Sequence, residues 1–387
     1  MVPNFPILLI RTAILAIFSY RILTFATKLV QRYSLNCFIT NYMNDHRKIF
    51  IAFIKLGDFI SGFLNGSDQN AWHQKLEEAI ALAKQENGWF TREHVIHALS
   101  SWAELLTHKE LSKWLSYYDP TKNRPKTVAI IMAGNIPLVG FHDFISVLIT
   151  GNKALVKLSS NDTILISFIR DYLIHLEPLL KDRIIFSDDK LKDFDAVIAT
   201  GSDNTARYFE YYFRKSPHII RKNRNSIAVL TGQESPDDLE ALGRDIFLYY
   251  GLGCRNVSKI FVPKNYDFAP FFKAIYIYSD IIHQHKYANN YDYNKAVYLM
   301  SNFKLLDNGF LILKEDTGYS SPIATLFYER YDDLSALSER LTKDRDLLQC
   351  IVGKDTVAGQ IPFGSTQRPS LYDYADGVDT VDFLLKT

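Results

Sequence analysis

Two periodicities divide the chain. From Met43 to about Tyr118 apolar side chains return at helical spacing: Phe50, Phe53, Ile54 and Leu56, then Leu76, Ala79, Ile80 and Leu82, then Val95, Ile96, Leu99 and Trp102. Asn87-Gly88 ends the second of these helices, and Thr91 with Glu93 opens the third. Asp119-Pro120-Thr121-Lys122-Asn123-Arg124-Pro125 reads as a linker. Beyond it short β-type runs alternate with helical ones. Thr127–Met132, Ala154–Lys157, Arg183–Phe186, Asp195–Ala199 and Ile227–Leu230 read as buried strands, with helices around Phe141–Ile149, Ile164–Leu176 and Thr205–Phe213 between them. That alternation predicts a parallel sheet covered by helices, an α/β fold.

A parallel sheet binds ligands at the carboxyl ends of its strands, and polar residues gather at those places here. The first strand runs into Ala133-Gly134-Asn135-Ile136-Pro137, where a side-chain amide could donate to a developing oxyanion. Gly-Asn and Ile-Pro equally make a plain tight turn. The second strand ends in Val156-Lys157-Leu158-Ser159-Ser160, a lysine and two hydroxyls suited to a phosphate or ribose, although an exposed lysine is commonly just solvated. The fourth ends in Ala199-Thr200-Gly201-Ser202 at the start of a helix, an anion-binding corner or an ordinary N-cap. No GxGxxG occurs.

Further on, Gly251-Leu252-Gly253-Cys254-Arg255 leads into a β-type run, Val257 to Val262. A thiolate attacking a carbonyl needs close approach of substrate and unhindered backbone N–H groups, which flanking glycines supply, so Cys254 is the candidate nucleophile. The bland alternative is a buried, inert thiol.

Composition narrows the picture. The 387 residues are 47% hydrophobic and 22% charged, enough for about two domains. Forty-four basic against forty-three acidic residues leave a charge of +1, which gives no field for nucleic acid. Three cysteines, Cys37, Cys254 and Cys350, show no CxxC spacing, which argues against a disulfide framework or structural metal site and fits a reducing cytoplasm. Residues 5–30 are apolar but broken by Arg11, Arg21 and Lys28, short of a membrane span. Residues 1–42 are read as an extension with the natural start at Met43, or as an amphipathic helix or weak anchor giving peripheral membrane association.

The succession of these motifs follows the order of the aldehyde dehydrogenase superfamily. Within it, Gly-Leu-Gly-Cys-Arg-Asn-Val-Ser-Lys-Ile-Phe-Val-Pro, the run Arg221-Lys222-Asn223-Arg224-Asn225-Ser226-Ile227-Ala228-Val229-Leu230 and the terminal Tyr374-Ala375-Asp376-Gly377-Val378-Asp379 resemble the acyl-CoA reductases typified by the fatty-acid reductase of bacterial luminescence. The resemblance implies a Rossmann-type parallel-sheet cofactor domain plus a second α/β catalytic domain, divided as 43–232 (helical lead-in and cofactor domain), 233–362 (catalytic domain) and a 363–387 segment. It also implies Cys254 as the acyl-accepting thiolate and Asn135 as an oxyanion donor beside the Cys254 N–H. Lys157 would meet the adenosine ribose or its 2′-phosphate, with Ser159 and Ser160 beside it, and Gly201-Ser202 the pyrophosphate.

Departures from the aldehyde-oxidising pattern sharpen the expectation. Where those enzymes carry a glutamate in Glu-Leu-Gly-Gly-Lys, this chain has Arg221-Lys222-Asn223-Arg224-Asn225, so a base for hydrolysing a thioester intermediate is missing. Lys-Pro-Ser-Glu becomes Lys157-Leu158-Ser159-Ser160, which removes a carboxylate that would repel a 2′-phosphate and so favours NADPH. Glu-Ile-Phe-Gly-Pro aligns only loosely with Gly318-Tyr319-Ser320-Ser321-Pro322, and no ribose contact is assigned there. The expected activity is NADPH-dependent reduction of a fatty acyl-CoA to the aldehyde through an acyl-cysteine, in a homo-oligomer, with an acyl-activating or acyl-transferring enzyme as partner. Aldehyde oxidation, reduction of another activated acyl group, and a membrane-associated binding protein without catalysis are the alternatives.

Overall fold

The computed structural model describes residues 45–387 apart from 68–69, 120–122 and 355–356. The expectations for residues 1–42 and for a start at Met43 lie outside the described residues. Among those described, no helix is long and apolar enough to cross a membrane.

Helix α1 (residues 45–64) buries Ile49, Ala52, Phe53, Leu56, Phe59 and Ile60, one stripe at helical spacing. Helices α2 (Ala71–Glu86) and α3 (Arg92–Leu105) follow, capped by Asn70 and Thr91 through side-chain oxygens that accept backbone N–H groups. The helical stretch holds one more element than its periodicity predicts: Thr107 accepts the Glu110 N–H and starts α4 (His108–Leu115). The expected linker is only partly free, because Asn123 is buried and its amide donates to Thr150 O at 2.7 Å and to Asn152 Oδ1 at 3.0 Å.

Beyond Asn123 the alternation yields β1 (Thr127–Ile131), α5 (Phe141–Ile149), β2 (Lys153–Lys157), α6 (Ile164–Leu176), β3 (Ile184–Phe186), β4 (Ala196–Thr200), α7 (Asp203–Phe213) and β5 (His218–Arg221). These strands form a fully parallel five-stranded sheet in the order β3-β2-β1-β4-β5. Val128, Ala129 and Ile130 of β1 are buried because helices cover both faces. The helical layer shares one core with this sheet.

The second sheet combines β6 (Asn225–Val229), β7 (Val257–Pro263), β8 (Leu305–Asp307), β9 (Ile312–Glu315), β10 (Thr325–Tyr331) and β11 (Leu348–Val352) in the order β11-β6-β7-β10-β9-β8, with only β8 antiparallel. Around it pack α8 (Pro236–Phe247), α9 (Ala269–Ile275), α10 (His285–Met300) and α11 (Leu334–Lys343). Ile227–Leu230 is thus a strand of the second sheet, and the crossing between sheets falls between Arg221 and Asn225, before residue 232. The short His-Ile-Ile-Arg strand β5 takes the fifth place in the first sheet, and its terminal arginine, buried against Asp143, hides it from an apolar pattern.

The chain then returns. Leu371, Tyr374, Val381 and Leu384 join the first core, the last two from α12 (Thr380–Lys386). Residues 364–379 therefore run from the second sheet back to the first, across the edge where the candidate site lies.

Candidate functional site

The site is built where β1 leaves the first sheet and the loop before β7 enters the second. After β1 the backbone passes very close to the exit of β2: a Cβ on Gly134 would meet Ser159 Oγ at 2.6 Å and Ser159 Cβ at 2.7 Å. A glycine is required there. Leu138 has φ 58°, and its N–H donates to Asp162 Oδ2 at 2.9 Å. The second oxygen of this carboxylate has no hydrogen-bond partner, and burial pushes the Asp162 carboxyl up to about 7. The turn so fixed aims Asn135 outward. Its amide donates to Leu252 O at 2.7 Å, two residues before Cys254.

The cysteine loop is held from within by Asn256, which is buried. Its amide donates to Leu248 O at 2.5 Å and Asp245 O at 3.2 Å, and its Oδ1 accepts the Gly253 N–H and the Gln367 side-chain N–H, each at 3.0 Å. A Cβ on Gly253 would lie 2.9 Å from that oxygen. Asp245, also buried, accepts from Gly364 N, Thr366 N and Thr366 Oγ1, which ties the returning C-terminal segment to α8. Tyr249, Tyr250 and Gly251 all take positive φ, 55°, 56° and 77°. The two tyrosines are packed from helix α3 and its approach: His97 Nδ1 sits 3.1 Å from the Tyr249 hydroxyl, the His94 ring contacts both tyrosines, and Trp89 lies against Tyr250.

Cys254 itself is exposed. Protein atoms crowded behind the sulfur nonetheless desolvate its charged form and push the thiol up, against the pull of the neighbouring Arg255 guanidinium. Its carbonyl accepts from Ser226 Oγ at 2.9 Å, and the same oxygen takes the Cys350 N–H at 3.1 Å. Arg255 donates to Asp373 O at 3.0 Å and to the Cys350 sulfur at 3.5 Å. Cys350 is buried, and desolvation pushes its thiol up as well. The geometry therefore brings Asn135, at the exit of the first sheet, to the cysteine loop that enters the second.

The remaining sequence-derived positions line the carboxyl edge of the first sheet. Lys157 Nζ donates to the carbonyls of Asp188 and Asp189 beyond β3, at 3.3 and 3.5 Å, contacts that leave its charge uncompensated. Ser159 packs on Gly134 and accepts the Asn161 N–H at 3.3 Å, while Ser160 is exposed. Ser202 is the N-cap of α7, its oxygen accepting the Thr205 N–H at 3.4 Å. A Cβ on Gly201 would meet Thr205 and Phe209 at 3.0–3.1 Å. A cation held only by carbonyls, an exposed hydroxyl and a helix N-terminus on one edge fit a nucleotide with anionic groups. The loop carrying Gly318-Tyr319 is anchored beside β7 by Ser258 Oγ to Tyr319 O at 2.7 Å and Lys259 Nζ to Thr317 O at 2.9 Å. Among the described residues no group of three or more His, Cys, Asp or Glu side chains could hold a metal ion.

Two contributors escape a reading of the sequence: Asn256 and Ser226. The first leaves a trace, a polar residue two positions after the cysteine and immediately before β7.

Comparison with known proteins places this arrangement. Residues 69–271, over half of the chain, match the family model described as acyl-CoA reductase (LuxC). The chain is similar to the long-chain acyl-protein thioester reductase of Aliivibrio fischeri, 26% identical over 233 residues, 53% of this chain and 47% of that protein. It thus spans about half the length of that curated relative. Among solved structures it is similar to aldehyde dehydrogenase 21 of Physcomitrella patens in complex with the reaction product succinate (TM-score 0.58, 11% identity, 88% of this chain and 84% of that one). It is also similar to a Mycobacterium tuberculosis aldehyde dehydrogenase complexed with NAD+ (TM-score 0.54, 13% identity, 79% and 73%). The fold is that of the aldehyde dehydrogenases.

Proposed function

The chain belongs to the acyl-CoA reductase (LuxC) family, and from that premise we propose that it reduces a fatty acyl thioester to the aldehyde through an acyl-Cys254 intermediate. The observation that carries this reading is the reach of the Asn135 amide to Leu252 O, which sets an amide donor beside the cysteine loop. An amide nitrogen has two hydrogens. One is given to Leu252 O, and the other, with the Cys254 backbone N–H, is available to an oxyanion formed when the sulfur attacks an acyl carbonyl.

Cys254 exchanges its thiol for the leaving thiol of the substrate and holds the acyl group. The run Arg221–Asn225 brings no carboxylate, so water near the thioester lacks the base that aldehyde-oxidising relatives use, and the acyl group survives until it is reduced. A nicotinamide cofactor, when bound, supplies the hydride. Lys157, Ser159, Ser160, Gly201 and Ser202 would hold it along the first sheet's edge. The uncompensated Lys157 charge and a serine at position 160 favour a 2′-phosphate and hence NADPH. Acyl-CoA is the proposed donor. A thioester on a partner protein is the second reading, favoured by the name of the Aliivibrio fischeri relative.

The test is oxidation of NADPH, followed by absorbance, with acyl-CoA and the full chain. Cys254→Ala is expected to abolish acyl transfer and reduction while leaving NADPH affinity within a few-fold. Full activity in that variant refutes the mechanism.

A further inference from the structure

The peptide between Leu252 and Gly253, immediately before the cysteine, is gripped at both ends. Its carbonyl accepts the Asn135 amide at 2.7 Å, and its N–H donates to Asn256 Oδ1 at 3.0 Å. In a planar trans peptide these two groups point in opposite directions, so whatever fixes the N–H also fixes the line of the carbonyl. Asn256 can take only one orientation here. Its Nδ2 faces Leu248 O at 2.5 Å and Asp245 O at 3.2 Å, groups that only accept, while its Oδ1 faces the Gly253 N–H, which only donates. The second lone pair of Oδ1 takes the Gln367 side-chain N–H at 3.0 Å, so every bonding position of this buried amide is used.

Gly253 lets the contact form. A Cβ there would lie 2.9 Å from Asn256 Oδ1 and 3.5 Å from Ile136 Cδ1, against an oxygen that cannot swing away without giving up the bond to Leu248 O. Gln367 reaches the same oxygen from the returning C-terminal segment. The residues before it are pinned to the buried Asp245 carboxylate, through Gly364 N at 2.6 Å and Thr366 N at 3.0 Å.

We propose that Asn256 is a positioning residue for the oxyanion amide of Asn135, acting across the Leu252–Gly253 peptide and held from behind by Gln367, a role that rests on the acyl-transfer reading above. With Leu252 O kept in line, one hydrogen of the Asn135 amide is engaged, and the other, fixed in the same amide plane, is thereby aimed. Such preorganised aim is what gives an oxyanion donor its effect. The same contact withdraws the Gly253 N–H from the donors open to an oxyanion, leaving that task to Asn135 and the Cys254 N–H.

Three readouts on the full chain test the role. The burst of p-nitrophenolate from p-nitrophenyl octanoate reports acylation of Cys254 through an oxyanion, with no CoA present. Alkylation by iodoacetamide reports presentation of the same thiol, with no oxyanion formed. Single-turnover release of CoA from an acyl-CoA reports the proposed donor. Asn256→Ala is expected to slow the burst about ten- to a hundredfold, up to the cost of losing the Asn135 donor outright, while alkylation stays near the wild-type rate. Gln367→Glu sets an acceptor against Asn256 Oδ1 in place of a donor and is expected to slow the burst more than Gln367→Leu; a packing role reverses that order, because glutamate has the shape of glutamine. This pair also carries the test if Asn256→Ala does not fold. In an Asn135→Ala background each substitution is expected to slow the burst by less than about threefold further, since the donor they aim is gone. Slowing that multiplies fully in the double variants overturns the proposal. So does an unchanged burst in Asn256→Ala, the reverse order at Gln367, or an alkylation rate that falls in parallel with the burst. A wild-type chain that gives the Asn256-dependent burst but releases no CoA supports the positioning and refutes the acyl-CoA reading alone. A wild-type chain that alkylates but gives no burst overturns both.

Discussion

Arg221 ends β5, and its surroundings make it a structural cation. Its guanidinium grips Asp143 through Nη2 to Oδ1 at 2.6 Å and Nε to Oδ2 at 3.3 Å, and also reaches Ala375 O and Thr380 Oγ1. Both charged side chains are buried, with Arg221 4% and Asp143 8% exposed. Removing one partner strands the other charge in the interior, at a cost of about 3–5 kcal/mol. Replacing both with apolar residues of similar volume removes that penalty and leaves only Thr380 and the Ala375 carbonyl short of a partner, about 1 kcal/mol each. Arg221→Met is therefore expected to lower the stability by about 3–5 kcal/mol, a large share of the roughly 5–15 kcal/mol typical of a folded domain. The double variant with Asp143→Leu is expected within about 2 kcal/mol of the wild type. Urea unfolding followed together by far-UV circular dichroism and by fluorescence of Trp102 and Trp114, which share this core, gives both numbers. If the two single losses simply add in the double variant, the pair is not the buried unit described.

Asn135→Ala is expected to slow single-turnover acylation about a hundredfold or more, the usual cost of one oxyanion donor, and an unchanged rate returns Asn135 to the role of a turn residue. Ser160→Glu is expected to weaken NADPH far more than NADH, and Lys157→Ala to weaken NADPH selectively; dissociation constants that shift equally for both cofactors contradict the 2′-phosphate assignment. Burial raises the Asp162 carboxyl to about 7 in the folded chain, above its unfolded value. Its stabilising contribution is thus fully present below about pH 4 and is lost as the pH rises through about 7, by about 4 kcal/mol at most. Asp162→Asn is expected to flatten the decline in urea midpoint between pH 4 and 8, and an identical decline in the variant assigns it to other groups.

What the sequence makes legible is local. The exits of β1, β2 and β4 can be found because a buried strand is an apolar run and its end is marked by glycine, asparagine or serine. Helices α5 and α6 keep their expected bounds because their apolar spacing is unbroken. The strand β5 hides because two of its four residues are His218 and Arg221, and the burial of Arg221 depends on Asp143, far away in the chain. For the same reason Ile227–Leu230 reads as part of the first sheet. Its apolar run says that it is buried, and only pairing with β7 and β11 says where. The Asn135–Leu252 contact joins segments whose order, but not whose proximity, is written in the motifs. Asn256 acts through carbonyls at the end of α8 and through Gln367, and Ser226 through Cys350 of β11, contacts that no short-range pattern encodes.

The two left-handed tyrosines ahead of Cys254 carry a consequence for how this protein can be varied. Each non-glycine residue in that conformation costs about 1–2 kcal/mol. Here the offset comes in part from Tyr287 of α10 and in part from Trp89, His94 and His97, which belong to the helical layer and not to the second sheet. The curvature of the cysteine loop is thus on loan from a distant stretch of chain, and the two must change together. A chimera that exchanges residues 236–256 with those of a relative while keeping the resident α3 should inherit the cysteine but not its presentation. Exchanging residues 89–97 in the same step should restore it, so that the unit of inheritance at this site is a pair of segments.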